Sequence, residues 1–306
     1  METVEILAPD REGTLGVGAT SLHYATWGAY TRPERSVLLV HGLSSSSRAF
    51  LGIGPALAAR SWYAIAPDLR GRGLSAKPAH GYGIPIHADD LLSLCDALGL
   101  PSVNFVGHSL GALIGIFLAA VHPQRINTLT LLDAGGKLPD DTLAAIAASL
   151  ARLGTVYPSL DAYLDMARGL PVHEWNPLWE AYYRYDAEVH PDGTVTPRAQ
   201  KHAIAEENAV TFSTRTDLLT TFIQQPTLLV RATLGTLGPD RGFVMPRAEA
   251  ERLLAELPRA QLVEIPDTNH YTLVTSPLVA PAITEFLDAH ALASLAPGAG
   301  AVPEPA

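Results

Sequence analysis

From Val37 onward, short apolar runs closed by glycine or proline alternate with longer stretches of helical periodicity, and that alternation leaves few architectures open. Residues 37–40, 63–66, 102–106, 128–132, 227–230 and 262–265 read as strands. Helical patterns cover 48–60, 88–98, 110–121, 246–257 and 282–290. Strand and helix taken in turn predict an α/β fold, a mostly parallel central sheet with helices on both faces. There is no internal repeat, which excludes solenoids and propellers. The 306 residues supply ample material for such a core.

One segment breaks the alternation. Residues 135–225 read as helices without strands, too long for an ordinary connection between helix and strand. They hold Tyr157, Tyr163, Trp175, Trp179, Tyr182, Tyr183, Tyr185, Phe212 and Phe222. A helical insertion rich in aromatics suits a cap over a pocket, although the same aromatics would also serve as the core of a helical subdomain. The expected division is therefore 1–134 and 226–290 as two parts of one core, with 135–225 as a helical cap. The last stretch, 291–306, is mostly Ala, Pro and Gly and is expected to be disordered.

Charge narrows the partners. The formal net charge of −10 repels phosphate, so nucleic acid and anionic membranes are not expected partners. A single cysteine, Cys95, excludes an intrachain disulfide and any Cys-rich metal site. The opening Met1-Glu2-Thr3-Val4-Glu5 is acidic where a secretory leader would be basic and then apolar. No apolar run approaches the roughly 18 residues that span a bilayer. A cytoplasmic protein is the expectation.

The chemistry sits in Gly107-His108-Ser109-Leu110-Gly111, of the form G-x-S-x-G. It follows the apolar strand containing Val103, Phe105 and Val106, and it opens the helix of Ala112, Leu113, Ile116 and Phe117. Strand, tight turn and helix are the setting of a nucleophile elbow, which exposes the serine hydroxyl at a helix N-terminus. Amides and the helix dipole there favour developing negative charge.

In this setting the chain resembles the α/β-hydrolase fold family over nearly its whole length. His41-Gly42-Leu43 resembles the family's oxyanion loop. Residues 67–75, Pro-Asp-Leu-Arg-Gly-Arg-Gly-Leu-Ser, resemble its P-D-x-R-G-x-G-x-S loop, read here as structural. Asp267-Thr268-Asn269-His270-Tyr271, after the last strand, resembles its histidine loop.

Ser109 needs a base, because a free hydroxyl is hardly ionised near neutral pH. His270 follows the final strand in a polar loop, as the order nucleophile, acid, histidine requires. His41 and His108 lie within the oxyanion and elbow motifs and are expected to make structural hydrogen bonds. No histidine pair has helical zinc spacing, so no metal and no cofactor are assigned. The acid stays open. The resemblance places it just past the penultimate strand, where 230–235 holds no carboxylate and the next is Asp240. Some members instead place it at the end of the strand after the nucleophile helix, where Asp133 stands. Asp133 is preferred because it reaches the sheet edge without a loop rearrangement, with Asp240 as the alternative. The elbow fixes the backbone amide of Leu110 as one oxyanion donor, and the resemblance implies that of Leu43 as the other.

A serine nucleophile sets the chain apart from family members that attack through a carboxylate. What remains is acyl transfer to water through an acyl-enzyme. The expected reaction is hydrolysis of an ester or lactone of a mid-sized apolar or aromatic small molecule, with Trp175, Trp179 and Tyr183 lining its pocket. The alternatives are a carbon–carbon bond hydrolase acting on a diketone, and a ligand receptor or signalling module that keeps the site without turnover.

Overall fold

The computed structural model of the chain describes residues 8–171, 173–211 and 214–294. Phe212 and the tail from 295 onward lie outside the described residues, as does the acidic start at 1–7. Among the described residues ten strands run β1 Arg11–Val17, β2 Thr20–Trp27, β3 Ser36–Val40, β4 Tyr63–Pro67, β5 Val103–His108, β6 Ile126–Leu132, β7 Ala187–Val189, β8 Val195–Pro197, β9 Thr227–Ala232 and β10 Ala260–Ile265. Among the described residues the α-helices are α1 Ile53–Ala59, α2 Ile84–Ala97, α3 Leu110–Val121, α4 Asp140–Ser149, α5 Leu160–Arg168, α6 Pro177–Asp186, α7 Lys201–Thr211, α8 Arg247–Glu256 and α9 Val279–Ser294.

Eight strands form one sheet in the order β1-β2-β4-β3-β5-β6-β9-β10. From β4 to β10 every pairing is parallel. β1 and β2 join antiparallel at one edge. The inner strands β3, β5 and β9 are buried at every position, because helices cover both faces, and they therefore appear in the sequence as largely apolar runs, interrupted at Asn104 and Arg231. Two apolar layers result. One packs Trp27, Phe50, Trp62 and Phe286 with α1 and α9, and the other packs Phe105, Ile114 and Leu91 with α2, α3 and α8.

The edge hairpin β1–β2 escapes the sequence reading. β1 is exposed along most of its length and carries Gly13 and Gly16, so it shows neither a clean alternation nor an apolar run. The 135–225 segment is also not wholly helical, contrary to expectation. β7 and β8 pair antiparallel around a turn through Asp192 and Gly193, the latter at φ 84°. Strands of three residues are too short for a periodicity of two to register.

The elbow depends on close backbone approach. A Cβ on Gly111 would lie 2.0 Å from the Val40 carbonyl oxygen, and one on Gly107 would lie 2.3 Å from the Gly111 carbonyl oxygen. Only glycine lets α3 pack this tightly against β3 and β5.

Candidate active site

Four strand ends meet at the carboxyl edge of the sheet. Leu43 follows β3, Ser109 follows β5, Asp133 follows β6 and His270 follows β10. Open α/β sheets bind ligands at this edge.

Ser109 has φ 56° and ψ −119°, a conformation costly for any residue with a side chain. Its amide donates to the Leu132 carbonyl at 3.3 Å. It stands at the N-terminus of α3, partly open to solvent. Gly42 lies against it: a Cβ there would be 3.0 Å from Ser109 Cβ and 3.5 Å from its Oγ. The oxyanion-loop residues and the elbow are thus neighbours.

Asp133 is 2% exposed and His270 7% exposed, and His270 Nδ1 lies 2.9 Å from Asp133 Oδ2. A carboxylate only accepts, so Nδ1 carries the proton and Nε2 keeps its lone pair. Asp133 Oδ1 accepts from the Ala232 amide at 3.1 Å, and the Asp133 amide donates to Val230 at 2.8 Å. Asp133 therefore leans from β6 across to the end of β9, the place from which the resemblance expected an acid. Asp240 is exposed in the 235–242 loop and is not brought to His270.

Two further histidines fix the backbone around this pair, as expected of them. His108 Nε2 donates to the His270 carbonyl at 2.9 Å, tying the elbow to the histidine loop. Asn269 Oδ1 accepts from the amides of Tyr271 and Thr272 and shapes that loop. In His41, Nε2 accepts from the Leu69 amide at 3.0 Å, so Nδ1 is the protonated nitrogen and donates to the Gly42 carbonyl at 2.8 Å. Burial holds His108 well below the ordinary histidine value of 6.5 and His41 down to about 4.

A stability prediction follows from these values. Both folded-state values lie below the unfolded one, so protons favour the unfolded chain. The contribution of the two histidines is complete above pH 6.5 and is lost as pH falls toward 4, where His41 titrates. For His41 alone this amounts to about 3 kcal/mol. The urea midpoint is expected to drop clearly between pH 7 and pH 4.5, and equal midpoints would contradict it.

Leu110 opens α3 and is buried, while Leu43 is half-buried. Among the described residues neither amide has an acceptor. Residues missed in the sequence hold this loop from behind. Arg72 Nε donates to the Leu43 carbonyl at 2.9 Å. Asp68 Oδ1 accepts from the Ser47 amide at 2.7 Å, and the Tyr182 hydroxyl donates to Ser45 Oγ at 3.1 Å. Arg72 and Asp68 belong to the 67–75 motif, so that motif was the signal available.

Trp175, Trp179 and Tyr183 do come together, but chiefly with one another. Trp175 stacks on Tyr183 with centroids 5.8 Å apart, and Trp179 lies 6.0 Å from Tyr183. His173 stacks on Trp179 at 4.5 Å. Of the three, Trp179 borders a crevice, shared with Leu178, Tyr182, Val274 and Thr275, beside the turn that follows His270. Among the described residues no group of three His, Cys, Asp or Glu is placed to hold a metal ion, and no helix is long and apolar enough to cross a membrane.

Known proteins share this fold. The family model described as alpha/beta hydrolase fold matches residues 35–173. Over 257 residues the chain is 29% identical to 2-(acetamidomethylene)succinate hydrolase of Mesorhizobium japonicum, covering 83% of this chain and 88% of that protein. The crystal structure of E-2-(acetamidomethylene)succinate hydrolase superposes with a TM-score of 0.79 at 24% identity, covering 91% of this chain and 99% of that one. A structure of an N-acyl homoserine lactone degrading enzyme gives a TM-score of 0.66 at 23% identity, over 90% of this chain and all of that one. At these identities the superpositions speak for the fold alone. Sheet order, elbow and sequence match converge on one architecture, the α/β-hydrolase fold.

Proposed function

We propose that the protein is a serine hydrolase that cleaves an ester or lactone of a mid-sized, uncharged, apolar or aromatic small molecule. The observation that carries this reading is the buried Asp133–His270 hydrogen bond beside the strained Ser109. Ser109 Oγ attacks the substrate carbonyl and His270 Nε2 takes its proton. The carbonyl electrons move onto oxygen, where the amides of Leu43 and Leu110 donate to it. Collapse expels the alcohol, which leaves with the proton from His270, and an acyl-Ser109 remains. Water then gives a proton to His270 and attacks the acyl carbon, releasing acid and restoring the serine. Asp133 keeps the imidazole in the required tautomer and offsets its charge.

Charge pairing supports an uncharged substrate. Each arginine around the oxyanion loop already faces a carboxylate: Arg48 with Glu12, Arg72 with Glu207 and Arg152 with Asp186. Trp179, backed by Trp175 and Tyr183, forms the apolar wall. Its Nε1, buried and without an acceptor among the described residues, is the donor available to a polar atom of the substrate.

A second reading, hydrolysis of a bond like that cleaved by the Mesorhizobium protein, is favoured by the extent of that match. The two part on charge, since a succinate is a dicarboxylate and would need unpaired cations. Wild-type kcat/KM on p-nitrophenyl butyrate, an N-acyl homoserine lactone, a diketone and 2-(acetamidomethylene)succinate decides between them. An ester or lactone is expected to exceed the other two by about 100-fold. Preference for the succinate would replace the first reading by the second.

A further inference from the structure

We infer that the 135–225 segment sets the oxyanion loop through a buried relay, Glu207 to Arg72 to the Leu43 carbonyl, with Glu207 and Arg72 as positioning residues. The inference rests on the proposed role of the Leu43 amide in receiving the oxyanion.

Arg72 and Glu207 are both 0% exposed, and their side chains pair at 3.2 Å across 135 residues of sequence. Every nitrogen of Arg72 is engaged: Nη2 with Glu207, Nη1 with the Arg70 carbonyl at 2.8 Å, and Nε with the Leu43 carbonyl at 2.9 Å. A buried guanidinium keeps its place only while a carboxylate compensates it. Glu207 is that carboxylate, and it is held in turn by His87 Nε2 from α2.

What Arg72 holds matters for Leu43. The peptide before Leu43 is fixed by His41, which bonds the Gly42 carbonyl, and the peptide after it is fixed by Arg72. In a trans peptide the carbonyl and the amide N–H point oppositely, so anchoring the Gly42 carbonyl aims the Leu43 N–H away from His41. With both flanking peptides anchored, neither backbone dihedral of Leu43 is free. A donor's contribution depends on its standing in place before charge develops.

Two other contacts run the same way. Arg152, paired with Asp186 at 3.2 Å, reaches the Ser44 carbonyl at 3.4 Å. The Leu43 side chain packs against Leu153, Ala199 and Ile204, all from the 135–225 segment. The segment thus bears on the Leu43 carbonyl through Arg72 and on the Ser44 carbonyl directly, and displacement of α7 would unpair Arg72 and loosen the donor.

Glu206 supplies the control. It lies on the same helix and docks it by accepting from the Gly81 and Tyr82 amides, without touching the oxyanion loop. Ester turnover is measured with p-nitrophenyl butyrate for wild type, Glu207→Gln, Glu206→Gln, Arg72→Lys and the Glu207→Gln/Arg72→Lys double variant, alongside thermal melts and labelling by a fluorophosphonate probe. Glu207→Gln is expected to lower kcat about 10-fold, with KM changed less than about 2-fold, because a donor is loosened rather than removed. Arg72→Lys keeps a cation for Glu207 but loses the fork that holds Leu43, and is expected to fall equally. The double variant should be no worse than either single one, as befits a single path. Glu206→Gln should melt lower yet keep wild-type kcat. If Glu207→Gln does not fold, Arg72→Lys against Glu206→Gln carries the comparison. Equal kcat in the Glu207 and Glu206 variants, or wild-type kcat in folded Arg72→Lys, overturns the relay while leaving the hydrolase reading intact. A wild type that takes no fluorophosphonate overturns the hydrolase reading itself, and the relay with it.

Discussion

Replacing Ser109 by alanine is expected to abolish the fluorophosphonate adduct, read by intact mass, and to cut ester turnover by at least about 10,000-fold. The size follows from the way the site is built. His270 Nε2 has a proton to take only if an acidic O–H stands before it, and the free amides of Leu43 and Leu110 stabilise charge only once a nucleophile has attacked. Members of such a group act as a unit, so losing one forfeits most of what all contribute. The fold should survive, because Ser109 donates only its amide, to Leu132, and alanine retains that bond. Ser109→Gly tests the strain independently. Glycine adopts φ 56° without steric cost, so this variant should be equally inactive yet more stable than wild type by about 1 kcal/mol. A stabilised, inactive Ser109→Gly would identify the elbow as a place where stability is given up for geometry. Turnover retained in folded Ser109→Ala would place the nucleophile elsewhere.

Much of this was legible in the sequence, for identifiable reasons. β3, β5 and β9 are buried at every position, so most of their residues are apolar and the strands stand out as runs, the buried polar residues Asn104 and Arg231 being held by hydrogen bonds. The elbow is legible because close approach admits only glycine at 107 and 111, which writes a spacing into the chain. What stayed hidden is what depends on tertiary pairing. β1 has one solvated side and a partner only in β2, so its own composition carries little signal. Arg72 and Glu207 are separated by 135 residues, and no local pattern announces that a glutamate on α7 will meet an arginine in the 67–75 loop. The aromatics of 135–225 looked like a lining. Trp175 and Tyr183 spend their faces on each other, and mutual stacking of this kind leaves no trace in spacing. Tyr182, passed over among them, reaches the residues after the oxyanion loop through its hydroxyl and Ser45.

Asparagine substitution is expected to separate the two aspartates that the sequence left as rivals. Asp133→Asn should lower kcat/KM by about 1,000- to 10,000-fold, with fluorophosphonate labelling slowed in proportion, whereas Asp240→Asn should stay within about 2-fold of wild type. Asparagine matches aspartate in shape, so the Ala232 amide can still donate to its side-chain oxygen and the end of β9 need not move. What changes is at Oδ2, which faces His270 Nδ1 at 2.9 Å. If the asparagine turns its NH2 there, Nδ1 has to accept, the ring proton moves to Nε2, and the base loses the lone pair that Ser109 needs. If it turns its oxygen there, the tautomer is kept, but the Ala232 amide then meets an NH2 and the imidazolium formed during attack has no compensating charge. Either orientation loses, the first by tautomer and the second by electrostatics. Asp240 lies exposed in the 235–242 loop, where its neutralisation changes a solvated charge and little else. A large loss in Asp240→Asn with Asp133→Asn near wild type would require the 235–242 loop to swing in during turnover, and would move the acid to β9.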